Sequence, residues 1–299
     1  MNSRGFIVGT LLLTSMFGCG SDTVENGQAT VGDRDLIRAM HDDRTSHYNQ
    51  SDIVALMETY AEEATVLTGT LQVASGKDAI RDLIGTEMER SQGLNNELKE
   101  VLLFDDQAVL WGSYVWSGVG SEETSGPYML ELGKFDGSWK VTREMWSHDQ
   151  NPGEGLTWDN IPEDFDENSE WSDEMNILEN LYNSGNPAAL AELFSGDALV
   201  GIPNFPVLEG REIIQEFFQS AIDKSDGTVM DVLVRSANVL NKNNVMLAGY
   251  IEVDGESTEG RARFLLLLEL ANSFEVDAGE DAEWQVRWMV ASGKELFSV

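Results

Sequence analysis

Apolar residues recur at helical spacing twice along the chain, each time ahead of a series of long alternating runs. Trp171, Met175, Leu178 and Tyr182 form one stripe, and Leu36 or Ile37, Met40 and Tyr48 form an earlier, weaker one. A short second helix is predicted after each. Asp52 is its N-cap in the first case, and Asn186-Pro187 supplies cap and first-turn proline in the second. That helix is expected to end near Tyr60 or Phe194 and to lead into a short strand over 64–67 or 198–202. A third helix is predicted after Gly76 or Gly210, carrying Ile80, Leu83 and Ile84, or Ile213, Ile214, Phe217 and Phe218. Strands are then predicted over 97–104, 108–117, 128–135 and 139–147, and again over 229–240, 245–253, 261–270 and 284–291. Asp136-Gly137 between the third and fourth of these is a strong hairpin turn. Helices first and antiparallel strands afterwards is an α+β pattern with the helices on one face of a sheet.

The two series are copies of one unit. Tyr48-Asn49 placed over Tyr182-Asn183 gives an offset of 134 residues. Without a gap, that offset also matches Ala55 with Ala189, Leu56 with Leu190, Glu58 with Glu192, Ala64 with Ala198, Val66 with Val200, Gly76 with Gly210 and Ile80 with Ile214. Later matches drift, Gly112 onto Gly249 and Trp139 onto Trp284, as insertions in hairpin loops require. The expected organisation is a first domain over 33–149, a linker over 150–167 and a second domain over 168–299. Across 149–170 there are eight acids and no base, with Pro152, Gly153, Gly155 and Pro162 breaking structure.

The first residues read differently. Arg4 precedes an apolar run from Phe6 to Phe17, of signal-peptide length and too short to span a bilayer. The run ends in Met16-Phe17-Gly18-Cys19, which resembles a bacterial lipobox, and Cys19 is the only cysteine of the chain. A signal peptide over 1–18, a lipid on Cys19 and a polar tether over 19–32 are the expectation, and for a Gram-negative host the resemblance implies outer-membrane sorting through Gly20 and Ser21 after the cysteine. With no second cysteine, each domain must stand on its hydrophobic core. The 299 residues carry 53 acids against 19 bases, a net charge of −34. Such a surface repels phosphate backbones and anionic leaflets, which excludes nucleic-acid binding and leaves the lipid as the route to a membrane.

The order of elements, Gly76-Lys77-Asp78-Ala79-Ile80, and the run Asp136-Gly137-Ser138-Trp139-Lys140-Val141 closing in Arg143-Glu144-Met145-Trp146 make the first repeat similar to the SnoaL-like group of the nuclear transport factor 2-like superfamily. The second repeat resembles the same fold through Glu209-Gly210-Arg211-Glu212-Ile213-Ile214 and Trp284. The resemblance implies two tandem cone-shaped domains. Each would be a curved antiparallel sheet packed on three helices, with an apolar pocket at one end. It also implies pairing through the sheets, which two copies in one chain could satisfy as an internal pseudo-dimer. The superfamily includes enzymes and binding modules alike. Its enzymes use a pocket carboxylate or histidine as base beside a tyrosine or second acid.

Candidate chemistry is sparse. The three histidines are His41, His47 and His148. His41 and His47 are six apart on one helix and share no face, so no His/Cys cluster for a metal arises. Strict alternation on the last strand of the first repeat puts Thr142, Glu144, Trp146 and His148 on one face and Val141, Arg143 and Met145 on the other. Glu144 with His148, or Glu131 with Tyr48, are the candidate acid–base pairs. Tyr48, Trp116, Tyr128 and Trp146 are the candidate pocket wall, with Trp111 a further strand aromatic. In the second repeat Arg261, Arg263, Arg287 and Glu269 lie on strands, where the bases balance neighbouring acids or bind an anion. No nucleophile elbow, phosphate loop, dinucleotide fingerprint or other cofactor motif is present. A small apolar ligand or partner in a cone pocket is the leading expectation. An isomerase-, dehydratase- or hydrolase-type enzyme working in the first domain is the alternative.

Overall fold

A computed structural model describes residues 31–69, 72–120, 123–148, 169–225, 227–254, 259–271 and 284–294. The signal peptide over 1–18, Cys19, nearly all of the tether and the linker over 150–167 lie outside the described residues.

Domain 1 consists of α1 (Val31–Asn49), α2 (Ile53–Glu58), β1 (Tyr60–Leu67), β2 (Val73–Ser75), α3 (Lys77–Arg90), β3 (Ser91–Phe104), β4 (Gln107–Gly118), β5 (Glu123–Phe135) and β6 (Ser138–Trp146). Domain 2 repeats this with α4 (Ser169–Asn183), α5 (Pro187–Glu192), β7 (Phe194–Gly201), β8 (Leu208–Glu209), α6 (Arg211–Lys224), β9 (Val229–Asn241), β10 (Asn244–Asp254), β11 (Glu259–Leu270) and β12 (Trp284–Lys294). Each sheet has six strands, in the orders β2-β1-β6-β5-β4-β3 and β8-β7-β12-β11-β10-β9.

The repeated sequence features have repeated physical causes. Asp52 and Asn186 each accept a hydrogen bond from the backbone N–H three residues on and so start α2 and α5. Gly76 and Gly210 both have φ of 81°, a conformation that disfavours a side chain, immediately before α3 and α6. Asn49 and Asn183 use both ends of the side-chain amide on one strand residue. Asn49 donates to the carbonyl of Leu94 at 2.8 Å and accepts from its N–H at 2.7 Å. Asn183 does the same to Met230 at 2.9 and 2.8 Å. Each asparagine thereby ties the first helix of its domain to the edge strand, β3 or β9.

The structure corrects several boundaries and one face. The short strands begin four residues earlier than predicted, at Tyr60 and Phe194, directly after the helix caps Thr59 and Leu193. They pair parallel with the last strands, so each sheet is antiparallel except at that one join. β3 starts at Ser91 rather than 97. On β6 the pairing with β5 slips between Glu131 opposite Arg143 and Leu132 opposite Val141, which makes Thr142 a bulge. A bulge reverses the alternation. Val141 therefore joins Tyr128, Leu130 and Leu132 in the inner core instead of sharing a face with Arg143 and Met145. β12 bulges at the corresponding Arg287.

Two cores fill the space between each sheet and its helices. A third lies between the outer faces of the two sheets. There Val109, Trp111, Met129 and Met145 of domain 1 pack with Met246, Leu265, Leu267, Trp288 and Val290 of domain 2, and the Trp111 and Trp288 rings lie 6.1 Å apart. Polar contacts rim this seam. Asn238 donates to Gln107 at 2.6 Å and to Glu131 at 2.5 Å, and Arg287 reaches Glu100 at 3.1 Å. Arg287 also pairs with Glu269 at 2.9 Å, and Arg261 with Glu252 at 2.7 Å, so these two bases balance neighbouring acids. Arg263 is buried at the same outer face, beside the Tyr250 ring.

Candidate functional site

The helices and sheet of domain 1 enclose a cavity of about 300 Å³. Its wall mixes aliphatic side chains with polar ones that are buried and specifically partnered. α1 contributes His41, Arg44 and Tyr48 from successive turns of one face. Arg44 donates to Glu144 Oε2 at 2.8 Å, to the Tyr60 hydroxyl at 3.0 Å and to Thr59 Oγ1 at 2.7 Å. Tyr60 in turn donates to Glu144 Oε2 at 2.5 Å. Burial works against the charge of Arg44, yet Tyr60 and Glu144 outweigh it and hold the guanidinium above its ordinary value. Burial pushes the Tyr60 hydroxyl up, so it remains a donor. The result is a fixed ion pair with no net charge, both members largely shielded from water.

His41, 2% exposed, places Nε2 2.6 Å from the Tyr128 hydroxyl. Burial lowers the pKa of this imidazole, which is therefore neutral at pH 7, and burial raises that of Tyr128. Trp116 donates to the Tyr48 hydroxyl at 2.9 Å. At the end of β6, Tyr114 donates to the Ser147 carbonyl at 2.8 Å and lies 2.6 Å from His148 Nδ1. With its proton on Ser147, the Tyr114 oxygen accepts from Nδ1–H, which leaves Nε2 of His148 as the basic nitrogen. Burial pushes His148 down to about 4, so it is a weak base. Glu87, projecting from α3, is the titratable group of the cavity. Burial first, and Glu144 second, raise its carboxyl to about 7.

Six of the residues singled out in the sequence, Tyr48, Trp116, Tyr128, Glu144, Trp146 and His148, line this one cavity, and Glu131 does not. The pairings differ from those expected. Glu144 is bonded to Arg44 and Tyr60 rather than to His148, and His148 is bonded to Tyr114. Glu131 faces the seam between the sheets, where Arg143 stands 3.2 Å away, so it cannot pair with Tyr48. Arg44, Tyr60 and Glu87 are not site candidates in the sequence reading, and His41 enters it only as a metal ligand set aside for want of a partner. The signal was present in the repeat. An offset of 134 carries His41, Arg44, Tyr60 and Glu87 onto Met175, Leu178, Phe194 and Ala221. Four polar residues at positions that the second copy fills with apolar ones mark an inward face with a purpose besides packing.

The strand registers extend the comparison. Leu67 opposes Met145 and Met145 opposes Met129, as Gly201 opposes Val290 and Val290 opposes Leu265. Tyr128 therefore corresponds to Phe264 and Glu144 to Met289. The space equivalent to the cavity in domain 2 is about 20 Å³ and is walled by apolar side chains, among them Met175, Leu178, Phe194, Phe264 and Met289. Among the described residues, no group of three or more histidine, cysteine or acidic side chains is arranged to hold a metal ion.

No protein-family model matches the chain, and no curated protein matches it. Among solved structures it is similar to a ketosteroid isomerase-like protein from Erwinia carotovora atroseptica, with 21% identity and a TM-score of 0.36 over 38% of this chain and 94% of that one. It is also similar to an NTF2-like protein of unknown function from Shewanella oneidensis, with 20% identity and a TM-score of 0.35 over 38% of this chain and 98% of that one. A further NTF2-like protein of unknown function, from Pseudomonas putida, shares 17% identity at a TM-score of 0.37, over 44% of this chain and 99% of that one.

Proposed function

We propose that domain 1 binds a small, largely apolar organic molecule in its cavity, and that domain 2 does not. One observation carries this reading. The same fold occurs twice in one chain, and among the described residues the first copy keeps a cavity of about 300 Å³ with hydrogen-bonding groups in it, where the equivalent space of the second is about 20 Å³ and apolar. About 300 Å³ is the lower end of the range for sites that enclose small ligands. The Arg44–Glu144 pair is self-neutralised and His41 is neutral. The Arg90 guanidinium and the Glu87 carboxyl also line it, so the cavity offers Tyr48, Tyr128, Glu87 and Arg90 as local polar points among aliphatic and aromatic side chains. Screening a fragment library by heteronuclear NMR tests this. Shifts are expected at the indole of Trp116 and around Tyr128, with domain 2 unmoved. Hits that perturb the Phe194 and Phe264 region instead would overturn it.

A second reading, an acid–base enzyme, is favoured by Glu87. A carboxyl at about 7 is half-protonated at neutral pH and can both take and return a proton. Tyr128 would serve in this reading with the His41 proton on Nε2, which frees the Tyr128 hydroxyl proton for a ligand oxygen on which negative charge develops. Glu144 suits a supporting role, since Arg44 and Tyr60 occupy Oε2.

The lipid on Cys19 is part of the same proposal and would hold the two domains at an envelope membrane. Cys19→Ala is expected to abolish recovery of the protein in the detergent phase on phase separation. Unchanged partitioning would remove the anchor from the account. The packing of the two sheets leads us to propose an internal pseudo-dimer in solution. Light scattering is expected to give the mass of one chain, and an obligate homodimer would contradict it.

A further inference from the structure

We infer that domain 2, whose equivalent space is nearly filled by its own side chains, completes the site of domain 1 by fixing His148 through the turn Ile202-Pro203-Asn204-Phe205. The inference rests on the reading of the domain 1 cavity as a binding site.

The N–H of Phe205 bonds to the carbonyl of Ile202 at 3.2 Å, which closes a four-residue turn. Asn204 has φ of 71° and follows a proline, the signature of a type II turn with Pro at its second position and a left-handed residue at its third. In such a turn the peptide between those two residues is turned so that its N–H points away from the loop. Here that N–H crosses to domain 1 and bonds to the His148 carbonyl at 3.0 Å.

Both ends of the bridge are anchored. On the domain 2 side, the Phe205 ring packs edge-on against Phe217 of the core at 5.1 Å. Gly201 lies so close to domain 1 that a Cβ there would stand 2.3 Å from Pro127 Cγ. On the domain 1 side, the Ser147 N–H bonds to the Pro127 carbonyl at 3.0 Å, and Tyr114 holds both the Ser147 carbonyl and the His148 ring. The far side of the ring rests on Gly69, where a Cβ would come within 2.5 Å of it. His148 lies two residues past β6 at the wall of the cavity, and domain 2 holds its carbonyl. Tyr114 is the titratable side chain against the ring, and burial alone accounts for its lowered pKa. Asn204 is thus a positioning residue, acting through His148.

The test needs no ligand. In the full chain, the Asn204 amide is expected to exchange with deuterium as slowly as the amides of β12. An amide exchanging at the rate of an open loop would overturn the inference. Two variants then separate position from folding. Asn204→Pro removes the N–H and cannot reach a positive φ. It is expected to raise the NMR titration midpoint of His148 from about 4 by more than about one pH unit toward the ordinary 6.5, as the ring gains water. Asn204→Gly keeps both the N–H and the turn and is expected to leave the midpoint unchanged. A midpoint that stays put in Asn204→Pro, with both domains folded by far-ultraviolet circular dichroism, would contradict the inference. So would equal shifts in the two variants. Should the fragment screen find no ligand, these outcomes still stand by themselves.

Discussion

Replacing Arg44 alone by leucine is expected to destabilise the protein by about 3–5 kcal/mol, the usual cost of leaving a buried partner charge uncompensated. Arg44 and Glu144 have side-chain exposures of only 8% and 15%, and Tyr60 shares the same carboxylate oxygen. Converting the whole constellation, Arg44→Leu with Tyr60→Phe and Glu144→Met, is expected to return stability to the wild-type level or above it. Replacing a buried ion pair by well-packed apolar residues is often neutral or stabilising by about 1–4 kcal/mol. Domain 2 shows that the replacements pack, since Leu178, Phe194 and Met289 already fill the equivalent positions around its closed core. Urea denaturation of the three proteins at pH 7 measures both effects. The triple variant should also lose any ligand that wild type binds. A triple variant no more stable than Arg44→Leu would mean that the cluster is a packing device, and the binding account would lose its main support.

Glu87→Gln is expected to stabilise the protein at pH 8 by about 3.5 kcal/mol at most and to do little below pH 4.5. Burial raises this carboxyl from 4.5 to about 7, and each pKa unit is worth about 1.4 kcal/mol. Below 4.5 the group is protonated both folded and unfolded and contributes no pH dependence. Between 4.5 and about 7 the folded chain keeps a proton that the unfolded chain has released, so stability falls as pH rises. Above about 7 the penalty is complete and constant. Glutamine carries no charge to bury and removes that slope. Chemical denaturation of wild type and variant at pH 4, 6 and 8 checks it. Parallel curves across that range would show that Glu87 is solvated and is not the titratable group of the cavity. For the acid–base reading, the same variant should still bind the ligand and fail to turn it over.

The fold was legible because the sequence states it twice. Asp52 and Asn186, Gly76 and Gly210, and Asn49 and Asn183 recur at one offset since each meets a local geometric demand: a cap, a positive φ, a two-point tie to an edge strand. What the residues did not reveal was set by pairing across the sheet. The bulge at Thr142 depends on how β5 and β6 register and leaves no trace in strand propensity, so Val141 was placed on the wrong face. Glu131 has the composition of a pocket acid and was excluded from the pocket by a sheet-to-sheet contact with residues more than a hundred positions away. Glu87 sits on a helix whose other acids are solvated, and only the closure of the cone brings it inward. The weak stripe of α1 was the most informative misreading. It was weak because His41 and Arg44 occupy positions where a purely structural helix would carry Met and Leu, as α4 does.

The central claim is that one cavity of the two binds a molecule. Native mass spectrometry of the protein purified from its own membrane, before and after mild unfolding, tests it most directly. The account predicts a reproducible extra mass beyond any lipid on Cys19, released on unfolding and absent from the Arg44→Leu, Tyr60→Phe, Glu144→Met variant. No extra mass on the folded wild-type protein, or the same mass on both proteins, would contradict it.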